Sequence, residues 1–139
     1  MMAACRKTSP SPRSQEGEKH MAGNGKVQIQ MIGFATIKLT SPEGKVLLVD
    51  PWLTGNDFFP DGNPAVPDAY KKDVGAFGRV DIILQTHAHF DHLNLNDIVA
   101  ISERFDPIIL TPVETAIYIR EKTNLENFCN GGFGMNRGP

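Results

Sequence analysis

The chain has 139 residues and a mass of 15.3 kDa, which fits one domain. It is 40% hydrophobic and 22% charged, so disorder of the whole chain is excluded. A net charge of -2 offers no global attraction to nucleic acid or anionic lipid, and no apolar run reaches the length of a membrane span.

Charge is unevenly placed. Residues 1–26 carry five basic groups (Arg6, Lys7, Arg13, Lys19, Lys26) against Glu16 and Glu18. They hold almost no bulky apolar side chain, and the expectation is a disordered tail. The stretch lacks the apolar core of a secretory signal, and its acids weigh against a transit peptide. Cys5 and Cys129 lie far apart and make no disulfide framework, so a reducing, cytoplasmic setting is expected.

The folded body is expected over 27–139. VQIQMIG (27–33) and ATIKLT (35–40) alternate apolar and polar residues, the period of half-buried strands. SPEGK (41–45) supplies a turn, and VLLVD (46–50) is an apolar run of strand length. Residues 51–74 hold Pro51, Pro60, Pro64 and Pro67 and read as one long loop. VDIILQT (80–86) predicts another buried strand. A helix is expected over 93–105, with Ile98, Ile101 and Phe105 on one face and Asn94 or Asn96 as its cap. PIILT (107–111) predicts a strand. Thr111, Pro112 and Glu114 then fit N-cap, N1 and N3 of a capping box opening a helix over 113–123. The Gly-rich remainder has no readable period. Two consecutive strand–helix steps argue for an α/β fold with helices packed on a sheet.

Three of the four histidines fall within six residues, His87-Ala88-His89-Phe90-Asp91-His92, directly after an apolar strand. Imidazole is the commonest side-chain metal ligand. Residues i and i+2 of extended backbone point the same way, so His87 and His89 can converge on one ion. Asp91 and His92, past the bend, can address a neighbouring ion, and Asp91 can accept a proton from the nucleophile as a catalytic group. A structural zinc module is disfavoured because CxxC pairs are absent. Asp50 reads either as an acceptor behind a ligand imidazole or as a turn former before Pro51. Trp52, Phe58 and Phe59 read as cleft lining or as packing under the loop, and Cys129 as an idle thiol.

His87-x-His89-x-Asp91-His92 after an apolar strand resembles the metallo-β-lactamase superfamily. Gly33-Phe34-Ala35-Thr36, Asp50-Pro51-Trp52-Leu53-Thr54-Gly55-Asn56 and Thr86 to His92 resemble, more narrowly, the branch that includes metal-dependent hydrolases of the ascorbate-6-phosphate lactonase type. The resemblance implies an αββα sandwich, of which this chain covers the N-terminal half. It implies two Zn²⁺ ions, with Mn²⁺ or Fe²⁺ as substitutes. His87 and His89 would bind the first and Asp91 and His92 the second. It implies a metal-bound hydroxide attacking an ester, lactone, amide or phosphodiester in a small-molecule substrate. In the family a downstream half adds two further histidines and a bridging acid. Here the only other histidine is His20, and no Asp or Glu follows Glu126. Gly134-Met135-Asn136-Arg137-Gly138 resembles the stretch that precedes that half. The alternative expectation is therefore an inactive, shortened relative that binds metal weakly or not at all. A half sandwich leaves one sheet face wet, which favours association, including with a second copy of the chain.

Overall fold

The computed structural model describes residues 25–129. The expected tail over 1–26 falls outside these apart from Gly25 and Lys26, as does the 134–138 stretch. One sheet of six strands dominates: β1 (Gln28–Gly33), β2 (Thr36–Thr40), β3 (Val46–Val49), β4 (Ile82–Leu84), β5 (Ile108–Leu110) and β6 (Phe128–Cys129). The spatial order follows the chain, β1 to β6. Pairs β1–β2 and β2–β3 are antiparallel, and the later pairs are parallel. The switch comes where tight turns give way to longer crossovers, because parallel neighbours need a connection that returns the chain to the same end.

Three helices accompany the sheet: α1 (Asp68–Lys72), α2 (Leu95–Phe105) and α3 (Val113–Lys122). A 3-10 turn at Val74–Phe77 follows α1. The core joins one face of the sheet to the helices. Leu48, Ile83 and Ile109 lie side by side in register on β3, β4 and β5. They are fully buried with Ile98 and Ile101 of α2 and Ile119 of α3. Lys38, in register with Leu48, is a polar residue on that face. Its Nζ donates to the Phe77 carbonyl at 3.1 Å, and burial lowers its pKa.

The opposite face is apolar throughout. Register places Ile29 and Met31, Ile37 and Leu39, Leu47 and Val49, Ile82 and Leu84, and Ile108 and Leu110 on it, strand by strand. None of these ten side chains is buried, and Ile29 is 70% exposed. A solvated antiparallel face alternates with polar residues, whereas a face meant for burial reads apolar. The arrangement fits the N-terminal sheet of a metallo-β-lactamase fold.

Four sequence expectations need correction. The loop over 51–74 contains α1 and leads into the 3-10 turn, because Asp73 starts that turn by accepting the Gly75 N–H at 2.7 Å. The strand expected over 80–86 pairs only over Ile82–Leu84, and the polar residues beyond it turn to the histidine motif. The capping box does not form. Pro112 (φ -55°, ψ 151°) is the N-cap of α3 without a side-chain bond, and the buried Thr111 hydroxyl has no partner. The helix starts one residue late because Pro112 stays extended, which moves Glu114 to an exposed second position. Finally, β6 forms where no strand was expected. It is two residues long, too short to show a period, and is held by pairing with β5.

Candidate metal centre

The site is built at the C-terminal ends of β3 and β4, where open α/β sheets gather their ligands. Asp50 closes β3 and Gln85 and Thr86 follow β4, so the parallel pairing of these strands sets Asp50 beside them. The Asp50 N–H donates to the Leu84 carbonyl at 3.0 Å. Asp50 adopts φ 42°, a left-handed conformation that costs a non-glycine residue of order 1 kcal/mol and persists only where the surroundings fix it. The Thr36 hydroxyl supplies part of that fixation by donating to the Asp50 carbonyl at 2.8 Å.

The reward of this backbone is the position of the Asp50 carboxylate, which is 2% exposed. Oδ1 accepts from the Thr86 N–H at 2.7 Å and from Gln85 Nε2 at 3.0 Å. Oδ2 receives the Thr86 hydroxyl at 2.7 Å and lies 2.8 Å from His92 Nδ1. Of the two sequence readings of Asp50, the acceptor behind an imidazole is the one the contacts bear out. Gln85, fully buried, cinches the motif: its Nε2 also reaches the carbonyls of His87 at 2.8 Å and His92 at 3.2 Å. Its Oε1 is buried without a partner.

The motif itself leaves the strand extended and then bends. The His89 carbonyl accepts the N–H groups of His92 (3.0 Å) and Leu93 (2.8 Å), which folds His92 back toward His87. Ring centroids of His87 and His92 are 4.1 Å apart, and those of His87 and His89 are 4.4 Å apart. His92 Nε2 lies 3.8 Å from Asp91 Oδ2. His87 thus neighbours both other rings. The donors are of the type that binds borderline cations: neutral imidazole and carboxylate. The set is partial, however. Among the described residues, no group of three or more His, Cys, Asp or Glu side chains is arranged to hold an ion.

The loop after β3 is fastened to the motif. Asn56 Nδ2 donates to the Phe90 carbonyl at 2.8 Å, while Asn56 Oδ1 accepts the N–H groups of Phe58 and Phe59. Gly55 is obligatory here, since a Cβ would stand 2.2 Å from the Pro60 carbonyl oxygen. Phe58 stacks on Phe90 at 4.2 Å, and Trp52 lies between Phe34 (5.8 Å) and Phe59 (5.2 Å). Trp52 is buried and serves packing, whereas Phe58 and Phe90 are exposed beside the histidines. Cys129 ends β6, outside this constellation. A cavity of about 450 Å³ lined by Arg120, Thr123, Asn124, Leu125 and Glu126 lies at the C-terminal end of α3 and includes no motif residue.

Sequence reading singled out the histidines, Asp91 and Asp50 but passed over Gln85 and Thr86. The available signal was a glutamine ending an otherwise apolar strand, since a buried polar side chain needs a purpose.

The family model of the beta-lactamase superfamily domain matches residues 28–130. A UPF0173 metal-dependent hydrolase of Cupriavidus necator is 40% identical over 96 residues, covering 67% of this chain and 30% of the relative. One from Solibacter usitatus is 38% identical over 96 residues, covering 69% of this chain and 36% of the relative. One from Koribacter versatilis is 32% identical over 108 residues, covering 76% and 41%. The chain thus matches about a third of the length of these relatives.

Proposed function

The chain belongs to the metallo-β-lactamase superfamily, and from that membership we propose that it carries the first part of the metal centre of a metal-dependent hydrolase. His87, His89, Asp91 and His92 are the ligands this part contributes. The supporting observation is the Asp50 carboxylate, buried behind His92 and spending both oxygens on the motif. Ligating imidazoles characteristically present their second ring nitrogen to such an acceptor.

A divalent cation here, zinc in the first instance, supplies Lewis acidity and a water acidic enough to ionise near neutral pH. That is the chemistry needed to open an ester, lactone, amide or phosphodiester. The chain's own residues bind and orient. Asp50 holds His92, Gln85 holds the motif backbone, and Asp91, half-exposed, is the group available to accept a proton from the attacking water. The substrate is a small molecule approaching past Phe58 and Phe90.

A second reading has its own support. The lack of any grouped three-donor set among the described residues favours a form that holds metal weakly and does not turn over. Catalytic zinc sites use three protein ligands and a water. Metal analysis separates the two. Two bound ions per chain after equilibration with zinc, with hydrolysis of a chromogenic ester or bis-phosphodiester, establish the hydrolase. Substoichiometric metal without turnover establishes the second reading. His89→Ala should abolish whatever metal binds, and unchanged metal content in that variant refutes the ligand assignment.

A further inference from the structure

The Thr86 hydroxyl lies 2.7 Å from Asp50 Oδ2 and 2.8 Å from His87 Nδ1. It owns a single hydrogen. A carboxylate can only accept, so that hydrogen goes to Asp50. Thr86 Oγ1 then meets His87 Nδ1 as an acceptor. A neutral His87 ring must therefore carry its hydrogen on Nδ1 and its lone pair on Nε2. His92 reaches the same state directly, because its Nδ1 faces Asp50 Oδ2 at 2.8 Å.

We infer that Thr86 is a positioning residue that relays the acceptor character of Asp50 to His87, setting two adjacent rings in one tautomer. The centroids of these rings are 4.1 Å apart, and each presents the lone pair of Nε2. A metal ligand needs that lone pair, and the hydrogen bond at the other nitrogen decides where it sits. Without Thr86, Asp50 would orient His92 alone and His87 would choose its tautomer freely. The inference deepens the metal-binding reading and rests on it for its functional consequence. The tautomer itself follows from the hydrogen count.

The test uses the full chain with ¹⁵N-labelled histidine, observed by two-bond ¹H–¹⁵N correlation where the rings are neutral. His87 and His92 should both show the Nδ1–H pattern. Thr86→Val keeps the side-chain shape at an exposed position and preserves the fold, checked by circular dichroism. It should move His87 toward the Nε2–H pattern and leave His92 unchanged. Zinc affinity, measured by titration, should fall roughly 10- to 100-fold. Thr86→Ser should restore both. An Nε2–H pattern for wild-type His87, or a His87 pattern unmoved by Thr86→Val, overturns the inference. A moved tautomer with unchanged zinc affinity overturns its functional half. Expected tautomers in a wild-type chain that binds no zinc uphold the relay and refute the metal reading.

Discussion

The Asp97 carboxylate, in the first turn of α2, holds Thr54 at two points: its Oδ2 accepts the Thr54 N–H at 2.9 Å and its Oδ1 accepts the Thr54 hydroxyl at 2.6 Å. Oδ2 also takes the Leu53 N–H at 2.7 Å. Asn94, the cap of α2, donates to the carbonyls of Thr54 and Gly55. The start of α2 is therefore the clamp for the loop that follows Asp50. The residues after the histidine motif and those after Asp50 are bound into one unit.

Asp97→Asn should destabilise the protein by about 1–3 kcal/mol, since it removes an acceptor and places donors against donors in a buried site. The effect carries a pH signature. Burial raises the Asp97 pKa, outweighing its hydrogen bonds from Thr54 and Leu53. A raised carboxyl contributes most stability below its unfolded pKa and loses it as pH rises through the folded value. The gap between wild type and Asp97→Asn should therefore be wider near pH 4, the ordinary carboxylate range, than near neutrality. Urea melts at the two ends check this, and a gap that widens with pH contradicts the assignment.

Asp81 should respond with the opposite sign. Burial pushes its pKa up, but hydrogen bonds from Arg79 and the Val46 N–H, with the charges of Arg79 and Lys45, bring it below the ordinary value. Its contribution is present above the unfolded pKa and is lost as pH falls through the lowered one. Asp81→Asn should cost little in strong acid and more near neutrality, by up to about 1 kcal/mol for a partly exposed network. The same urea series reads it.

Thr111→Val should leave stability unchanged or raise it by up to about 1 kcal/mol, because it replaces a buried hydroxyl that has no partner. Were Thr111 the cap of α3, the same change would cost about 1 kcal/mol. A thermal melt decides between the two.

Gly55→Ala should cost more than about 1 kcal/mol, since the new Cβ meets the backbone oxygen of Pro60 at 2.2 Å and no flexible side chain can yield. The displaced loop carries Phe59, which packs on Trp52, the single tryptophan of the chain. Tryptophan fluorescence should shift along with the lowered melting temperature.

The uncovered sheet face should make the chain associate. Joint Ile29→Lys and Met31→Lys substitutions change two side chains that are 70% and 63% exposed, so they should cost under about 0.5 kcal/mol. They should also reduce self-association and dye binding, both driven by contiguous apolar surface. Sedimentation velocity provides the check.

Much of this was legible in the chain. The period-2 pattern of 27–40 marked β1 and β2, and Ile98 and Ile101 marked the buried face of α2; of the two caps the sequence offered, Asn94 is the one that forms, accepting the N–H groups of Asn96 and Asp97. These are local signals, carried by side-chain spacing and a cap within one turn. The histidine motif was equally local, and so was its place after an apolar strand.

What the tertiary structure decided was everything that depends on residues distant in sequence. Thr111 looked like a cap, but its surroundings bury it and leave Pro112 as the N-cap of α3. Asp97 was given no role by the sequence, yet it reaches back 43 residues to Thr54. Asp50 had two readings until the parallel pairing of β3 with β4 brought its carboxylate within reach of Thr86 and His92. The sequence by itself determined the longer strands, the two long helices and the donor types, because those follow from nearest-neighbour geometry, whereas α1, the 3-10 turn and β6 carried no such signal. Only folding decided which carboxylate stands behind which imidazole, because hydrogen bonds form across space and sheet register alone sets who is opposite whom.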